Sequence, residues 1–194
     1  VLRNNVDAIR AWPAARAKLP QAHHWRSIAR PDACFLQGGY LDDIDRFDAR
    51  FFGISSAEAT RMDPQQRLLL EVTYDALVDG GIAPSAVRGT RTGVYVGCST
   101  SDYGVEQLGW PAEVDCYTGS GSAASIAANR LSYAFDLHGP SVVVDTACSS
   151  SAVALHHACA AVRRGEIELA IAAGVNVILS PAVTMSFVQA GVMA

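Results

Sequence analysis

The chain has 194 residues, of which 50% are hydrophobic and 18% are charged, a composition that excludes a disordered tail and predicts a packed α/β domain. The net charge of −4 provides no basic footprint, so we expect neither nucleic acid nor a membrane surface as a partner. The longest apolar run, residues 169–179, is too short to span a bilayer. The chain begins without Met and without the apolar core of a signal peptide, so we interpret residues 1–194 as a fragment cut at both ends.

The first 31 residues predict a short helical stretch at residues 6–10 and then an irregular segment that contains His23 and His24. Adjacent histidines without a carboxylate or cysteine at ligand spacing are typical of a surface, so we assign no site to them. An extended piece is expected at residues 38–41. The aromatic residues within 45–52 predict a loop that packs onto the core rather than a solvated linker.

A helix start is predicted at Asp63. Asp63 is a favourable N-cap residue, Pro64 suits the first helical position, and Gln66 is spaced to reach back to the cap as in a capping box. We expect this helix to continue until Gly80 and Gly81 end it.

Strands and helices are predicted to alternate along the rest of the chain. Residues 92–98, 141–145 and 168–177 predict buried strands, and the β-branched run at 141–145 predicts a strand covered on both faces. Residues 117–135 open with Thr-Gly-Ser-Gly-Ser and predict a buried helix rich in small residues. A further helix is predicted from residue 147 to about residue 165. This alternation indicates a layered α/β fold.

The five cysteines are an odd number and form no CxxC pair. This pattern argues against a zinc site and a disulfide framework, and free thiols indicate a reducing, cytoplasmic setting. Four of them are interpreted as small buried apolar residues: Cys34, Cys98, Cys116 and Cys159.

Cys148 is the exception because a predicted strand runs into it and a helix follows at once. The helix dipole and the free N–H groups of the first turn stabilise a thiolate, and the same N–H groups suit a developing oxyanion. The local pattern alone leaves open whether Cys148 is a nucleophile or a core cysteine. The serines at 149–151 lack the G-x-S-x-G pattern of a hydrolase elbow. His156 and His157 lie about 12 Å further along the helix, too far to reach the thiol.

Residues 145–151 (DTACSSS) are similar to the active-site signature of β-ketoacyl synthase domains, or ketosynthases, in type I polyketide synthases and animal-type fatty acid synthases. Further blocks resemble the family in the same order: residues 51–55, 62–71, 93–97, 128–132, 174–176 and 180–181. The resemblance covers nearly the whole chain and makes Cys148 the expected catalytic nucleophile.

The resemblance implies a thiolase-like αβαβα fold of two similar halves, of which this chain holds most of the first, in a homodimer joined through a central strand. It implies that Cys148 accepts an acyl group from the phosphopantetheine arm of an acyl carrier protein. A malonyl-type extender then loses carbon dioxide and attacks the thioester to give a β-ketoacyl product. No cofactor is expected in the domain itself. Expected partners are acyl carrier protein and neighbouring acyltransferase and reductase domains.

The two histidines that the family needs for decarboxylation and condensation are expected beyond Ala194, so we predict that the fragment at most acylates at Cys148 and does not condense. Ala152 departs from the family, where a larger aliphatic residue is usual. The retained Cys148 argues against decarboxylating loading variants, which carry Gln. A non-extending or scaffold ketosynthase-like domain remains an alternative, and so does a coenzyme A-dependent thiolase relative, although block 62–71 speaks against the latter. The choice between polyketide and fatty acid products stays open.

Overall fold

The computed structural model describes residues 6–13, 16, 37–109 and 114–193. The chain divides into two compact units, a smaller one of residues 1–43 with 177–194 and a larger one of residues 44–176. The strands in chain order are β1 (Arg10–Ala11), β2 (Gln37–Gly38), β3 (Thr92–Gly97), β4 (Ser141–Val144) and β5 (Leu169–Gly174). The helices are α1 (Ser56–Arg61), α2 (Pro64–Asp79), a 3-10 turn (Pro84–Val87), α3 (Asp102–Leu108), α4 (Thr118–Ser122), α5 (Ala124–Phe135), α6 (Ser150–Arg163) and α7 (Ala182–Gln189).

A three-stranded parallel sheet with the order β4-β3-β5 forms the centre of the larger unit. Gly97, the last residue of β3, is in register with Val144 of β4 and with Gly174 of β5. All three strands therefore end level with one another, and the segments that follow them leave from the carboxyl end of the sheet.

The two faces of the sheet carry different helices. Val94 and Val96 of β3 are fully buried in a cluster that includes Leu131 of α5, whereas Tyr95 lies in a second cluster with Ala154 and other alanines of α6. Because side chains alternate between the faces of a strand, α5 and α6 cover opposite faces. The larger unit is a layered α/β structure, which confirms the predicted fold class.

Among the described residues, β4 and β5 form the two edges of this sheet, and both are less buried than the sequence predicts. All six residues of β3 are buried, but Val142 of β4 is 41% exposed and Ala172 of β5 is also exposed. The prediction that residues 141–145 are covered on both faces is therefore wrong for the described residues. A run of valines reports β propensity, but it does not report whether the strand lies in the centre or at the edge of a sheet.

The predicted start of α2 is correct at Asp63 and Pro64 and wrong at Gln66. The Asp63 carboxylate accepts a hydrogen bond from the Gln65 backbone N–H at 2.8 Å. The Gln66 side chain does not reach back to the cap. It donates to the carbonyl oxygens of Ser120 and Gly121, each at 3.1 Å, because the close approach of α4 offers buried acceptors that need a donor.

The predicted helix at 117–135 is interrupted. Ala123 has an extended backbone with ψ of 125° and separates α4 from α5. On α5 the buried residues are Ala127, Ala128, Leu131 and Phe135, so the prediction of a buried helix rich in small residues is confirmed for this part.

The smaller unit contains the antiparallel pair of β1 and β2, with Arg10 opposite Gly38. The predicted helical stretch at 6–10 is wrong, since Arg10 begins a strand and residues 6–9 have no regular structure. The buried Arg16 guanidinium donates to the carbonyl oxygens of Leu41 at 2.6 Å and Ile178 at 2.7 Å. His23 and His24 lie outside the described residues.

Candidate active site

Cys148 lies in the five-residue turn, residues 145–149, that joins β4 to α6. The strand ends at Val144 and the helix begins at Ser150, with Ser149 as its N-cap residue. Cys148 is a free and exposed thiol. The predicted place of this cysteine, between a strand and the first turn of a helix, is confirmed.

A left-handed residue gives the turn its shape. Ala147 has a φ of 53°, a conformation that costs a residue with a side chain about 1–2 kcal/mol. Its N–H donates to the Asp145 carboxylate at 3.0 Å, and its carbonyl oxygen accepts from the Ser150 hydroxyl at 2.6 Å. Both the N–H and the carbonyl oxygen of Ala147, the residue before Cys148, are therefore fixed by side-chain hydrogen bonds.

Two serines tie the turn to the helix. The Ser150 hydroxyl also accepts from the Thr146 N–H at 2.9 Å. The Ser149 hydroxyl lies 2.8 Å from the carbonyl oxygen of Thr146. Ser150, the first residue of the helix, is only 5% exposed, although Cys148 two residues before it is exposed. Both serine hydroxyls thus bond to the backbone of the turn before the helix, at Thr146 and Ala147, and Ser149 makes no side-chain capping bond to the first helical turn.

Glycines at the ends of β3 and β5 allow the first turn of α6 to sit against the sheet. A Cβ atom on Gly97 would lie 2.4 Å from the Ser151 nitrogen and 2.6 Å from the Ser150 carbonyl carbon. A Cβ atom on Gly174 would lie 2.6 Å from the Ser151 Cβ. Only glycine fits such close approaches, so these two residues decide where the helix begins above the strands.

Cys98 follows β3 at the carboxyl end of the sheet, the end at which Cys148 also lies. Its backbone N–H donates to the Val144 carbonyl oxygen at 3.1 Å, which continues the ladder between β3 and β4. Its side chain is 5% exposed, and its thiol lies 3.5 Å from the Thr100 carbonyl oxygen. Burial raises the pKa of the Cys98 thiol. The prediction that Cys98 is a core cysteine is confirmed.

A network of polar side chains also lies at the carboxyl end of the sheet. The Thr100 hydroxyl donates to the Asn176 side-chain oxygen at 2.9 Å, joining the segments after β3 and β5. The Ser101 hydroxyl donates to the Asp63 carboxylate at 2.9 Å, and the Gln65 amide donates to the Thr100 carbonyl oxygen at 2.7 Å. Burial raises the pKa of Asp63. These bonds fix the segment after β3 beside the start of α2.

Two of the other cysteine predictions are wrong. Cys116 and Cys159 are free and exposed. Cys159 follows Ala158, one of the alanines of α6 that face the sheet, and therefore points to another side of the helix. Spacing along a helix was the signal that could have shown this. Cys34 lies outside the described residues.

The remaining residues singled out in the sequence lie on the exposed side of α6. His156 and His157 are exposed, with their ring centroids 5.8 Å apart. Ala152 is exposed in the first turn of the helix, and nothing in the described residues explains its departure from the family pattern.

No group of three or more His, Cys, Asp or Glu side chains within the described ranges is arranged to hold a metal ion. An open cavity of about 610 Å³ is lined by Arg88, Ser132, Tyr133, Asp136, Leu137 and His138. Because His138 precedes β4 and its N–H donates to the Thr90 carbonyl before β3, this cavity lies at the amino end of the sheet, away from Cys148. In the part of the chain that is described, no helix combines the length and apolar character needed to cross a membrane.

The fold and the turn together define a class: a layered α/β protein that presents an exposed cysteine where a parallel strand meets a helix. Comparison with known families makes the assignment specific. The chain belongs to the β-ketoacyl synthase family, because the family model described as β-ketoacyl synthase, N-terminal domain, matches residues 1–194.

Known relatives agree with this assignment. The chain is 50% identical over 182 residues to the polyketide synthase GfsE of Streptomyces halstedii, covering 90% of the chain and 5% of that protein. It is 46% identical over 185 residues to 6-methylsalicylic acid synthase of Aspergillus niger, covering 95% of the chain and 10% of that protein. The chain therefore spans no more than a tenth of the length of these relatives.

A solved structure shows the same fold. The ketosynthase from module 6 of the bacillaene synthase of Bacillus subtilis 168 superposes with a TM-score of 0.81 at 34% identity, covering 98% of this chain and 30% of that one. The resemblance to ketosynthases and the thiolase-like layered α/β fold predicted from the sequence are thereby confirmed.

Proposed function

We propose that this chain is the N-terminal part of a ketosynthase domain of a polyketide synthase and that Cys148 is its catalytic nucleophile. The observation that carries the proposal is the exposed Cys148 thiol at the strand-to-helix turn of a chain that the family model matches throughout. The names of the relatives favour a polyketide synthase over a fatty acid synthase.

The first step is transfer of an acyl group to Cys148. The thiolate attacks the carbonyl carbon of an acyl thioester carried on phosphopantetheine. A new bond forms between the Cys148 sulfur and the acyl carbon, the bond to the pantetheine sulfur breaks, and that sulfur leaves and takes up the proton that Cys148 lost. The backbone N–H groups of the turn before α6 suit the negative charge that develops on the carbonyl oxygen.

The second step is decarboxylative condensation. A malonyl-type extender on acyl carrier protein loses carbon dioxide, and the resulting carbanion attacks the Cys148 thioester. A carbon–carbon bond forms, the carbon–sulfur bond breaks, and the Cys148 thiolate is released. The proposed partners are acyl carrier protein, neighbouring acyltransferase and reductase domains and a second copy of the domain. No bound cofactor takes part.

The condensation step needs proton-bearing groups that we place outside residues 1–194. His156 and His157 lie on α6 beyond its first turn and are exposed, and the helical rise of 1.5 Å per residue places them about 9 Å or more along the axis from Ser150, where the helix begins. We therefore propose that residues 1–194 supply the acyl-accepting cysteine and that the two histidines of the family lie elsewhere in the intact protein.

Mass spectrometry of the intact protein after exposure to an acyl-pantetheine thioester tests this proposal. We expect one acyl adduct on Cys148 and none in Cys148→Ala. Cys159→Ala is the matched control, because Cys159 is an exposed cysteine on the helix that follows the turn. It should keep the full adduct. An adduct that persists in Cys148→Ala, or that moves with Cys159, would contradict the proposal.

A further inference from the structure

The Ser150 side chain bridges the backbone on the amino side of Cys148 to the helix on its carboxyl side. It accepts from the Thr146 N–H at 2.9 Å and donates to the Ala147 carbonyl oxygen at 2.6 Å. One hydroxyl has one proton to donate and lone pairs to accept, so both bonds form at the same time. We propose that Ser150 is a positioning residue that sets the place of the Cys148 thiol, a role that rests on the proposed function.

The turn needs such a clamp because its backbone is strained. Ala147 sits in the left-handed region with a φ of 53°, and residues held there persist only when the surroundings over-determine them. The Ala147 carbonyl oxygen also accepts from the Ser150 N–H at 3.1 Å. Both the main chain and the side chain of Ser150 therefore hold the left-handed residue next to Cys148.

Burial distinguishes Ser150 from its neighbours. Ser150 is 5% exposed, whereas Ser149 and Ser151 are exposed. The carbonyl carbon of Ser150 faces Gly97, whose missing side chain lets the helix start lie against the end of β3. The Ser150 backbone thus lies against the end of β3, while its hydroxyl bonds to the turn at Thr146 and Ala147. Ser150 therefore connects the turn that carries Cys148 to the sheet.

Loss of the hydroxyl leaves the Thr146 N–H without this acceptor and frees the turn to relax. A small displacement of a reacting atom costs up to about a hundredfold in rate. We expect Ser150→Ala to slow acyl transfer to Cys148 by at least about tenfold. Alkylation of Cys148 by iodoacetamide should also slow severalfold. Ser150→Thr, which keeps a hydroxyl, should restore both rates to within about threefold.

Ser151→Ala is the matched control, since it removes an exposed serine hydroxyl one residue further along the same helix. It should leave both rates within about threefold of the unmodified protein. Measurements use the intact protein, with acylation and alkylation of Cys148 followed by peptide mass spectrometry. Equal rates for Ser150→Ala and Ser151→Ala would overturn the proposal, and so would a Ser150→Thr variant no faster than Ser150→Ala.

The two readouts separate this inference from the proposed function. If the unmodified protein takes no acyl group, the proposed function fails, yet the iodoacetamide rates still decide the role of Ser150. If Ser150→Ala does not fold, hydrogen exchange of the unmodified protein decides it. The Thr146 amide should then exchange about a hundredfold more slowly than in an unfolded chain. Exchange at the unfolded rate would refute the clamp.

Discussion

Cys98 and Cys148 follow two neighbouring strands, β3 and β4, at the carboxyl end of the same sheet. Their surroundings differ. Cys98 follows β3, the central strand, and is 5% exposed. Cys148 follows β4, an edge strand, and is exposed. The difference shows that the position of a strand within the sheet, together with the turn that follows it, decides whether a cysteine becomes a core residue or a reachable thiol.

The two exits from the sheet are also built differently. After β3 the backbone N–H of Cys98 still pairs with the Val144 carbonyl oxygen, so the ladder continues for one more residue, and the Cys98 side chain packs in the buried cluster. After β4 the backbone changes direction at Ala147, which has a left-handed conformation, and α6 begins three residues later at Ser150. Cys148 lies in this turn, directly after Ala147, and is exposed.

The largest expected difference between the two thiols is their rate of alkylation. At about pH 7.5 we expect iodoacetamide to modify Cys148 about a hundredfold faster than Cys98, because Cys98 is buried and burial disfavours its thiolate. Peptide mass spectrometry over a time course measures both rates. The exposed Cys116 and Cys159 serve as controls for access alone. Equal labelling of Cys98 and Cys148 in the folded protein would contradict the conclusion that one thiol is enclosed and the other is accessible.

A smaller effect is expected from filling the space where the helix meets the sheet. Gly97→Ala places a Cβ atom 2.4 Å from the Ser151 nitrogen, and such overpacking costs about 1–3 kcal/mol of unfolding free energy. Because the clash falls on the first turn of α6, the reactivity of Cys148 should fall more than that of Cys98.

Gly119→Ala is the matched control for Gly97→Ala. A Cβ atom at Gly119, which also lies in the larger unit, meets nothing within 4 Å, so its effect should stay within about 0.5 kcal/mol. Urea unfolding gives the free energies of both variants. Equal stability of the two would show that the first turn of α6 shifts freely over the sheet.

The smallest expected effect is a dependence of stability on pH that comes from Cys98. Burial raises the pKa of this thiol in the folded protein, whereas an unfolded cysteine titrates at about 8.5. Above that pH the unfolded chain loses the proton that the folded chain keeps. Stability therefore falls as the pH rises from about 8.5 toward the folded pKa.

Urea unfolding at several pH values between about 7.5 and 9.5 tests this slope. Cys98→Ala should fall less steeply with pH than the unmodified protein, whatever its stability at neutral pH. Identical slopes for Cys98→Ala and the unmodified protein would show that Cys98 titrates alike in both states.

The sequence predicted the three strands of the larger unit, the helices α2, α5 and α6 and the place of Cys148 because these depend on local signals, whereas α1 and α3 were not predicted. A run of valines, a Thr-Ala-Cys-Ser turn and a following helical pattern suffice for β4, the turn and α6. Predictions failed where a partner distant in the chain decides. Gln66 was expected at its own cap but donates to carbonyls of the α4 segment, and the burial of Val142 was overestimated because its strand lies at an edge.

The sequence by itself determined the family, the cysteine that we propose as nucleophile and the alternation of strands with helices. These follow from residue types that are adjacent or regularly spaced, and local conformational preferences act over such distances. Tertiary structure alone decided that Gly97 and Gly174 lie against the first turn of α6 and that Ser150 is buried while Cys148 is exposed. Each of these depends on which segments the sheet brings together, and no spacing along the chain encodes that contact.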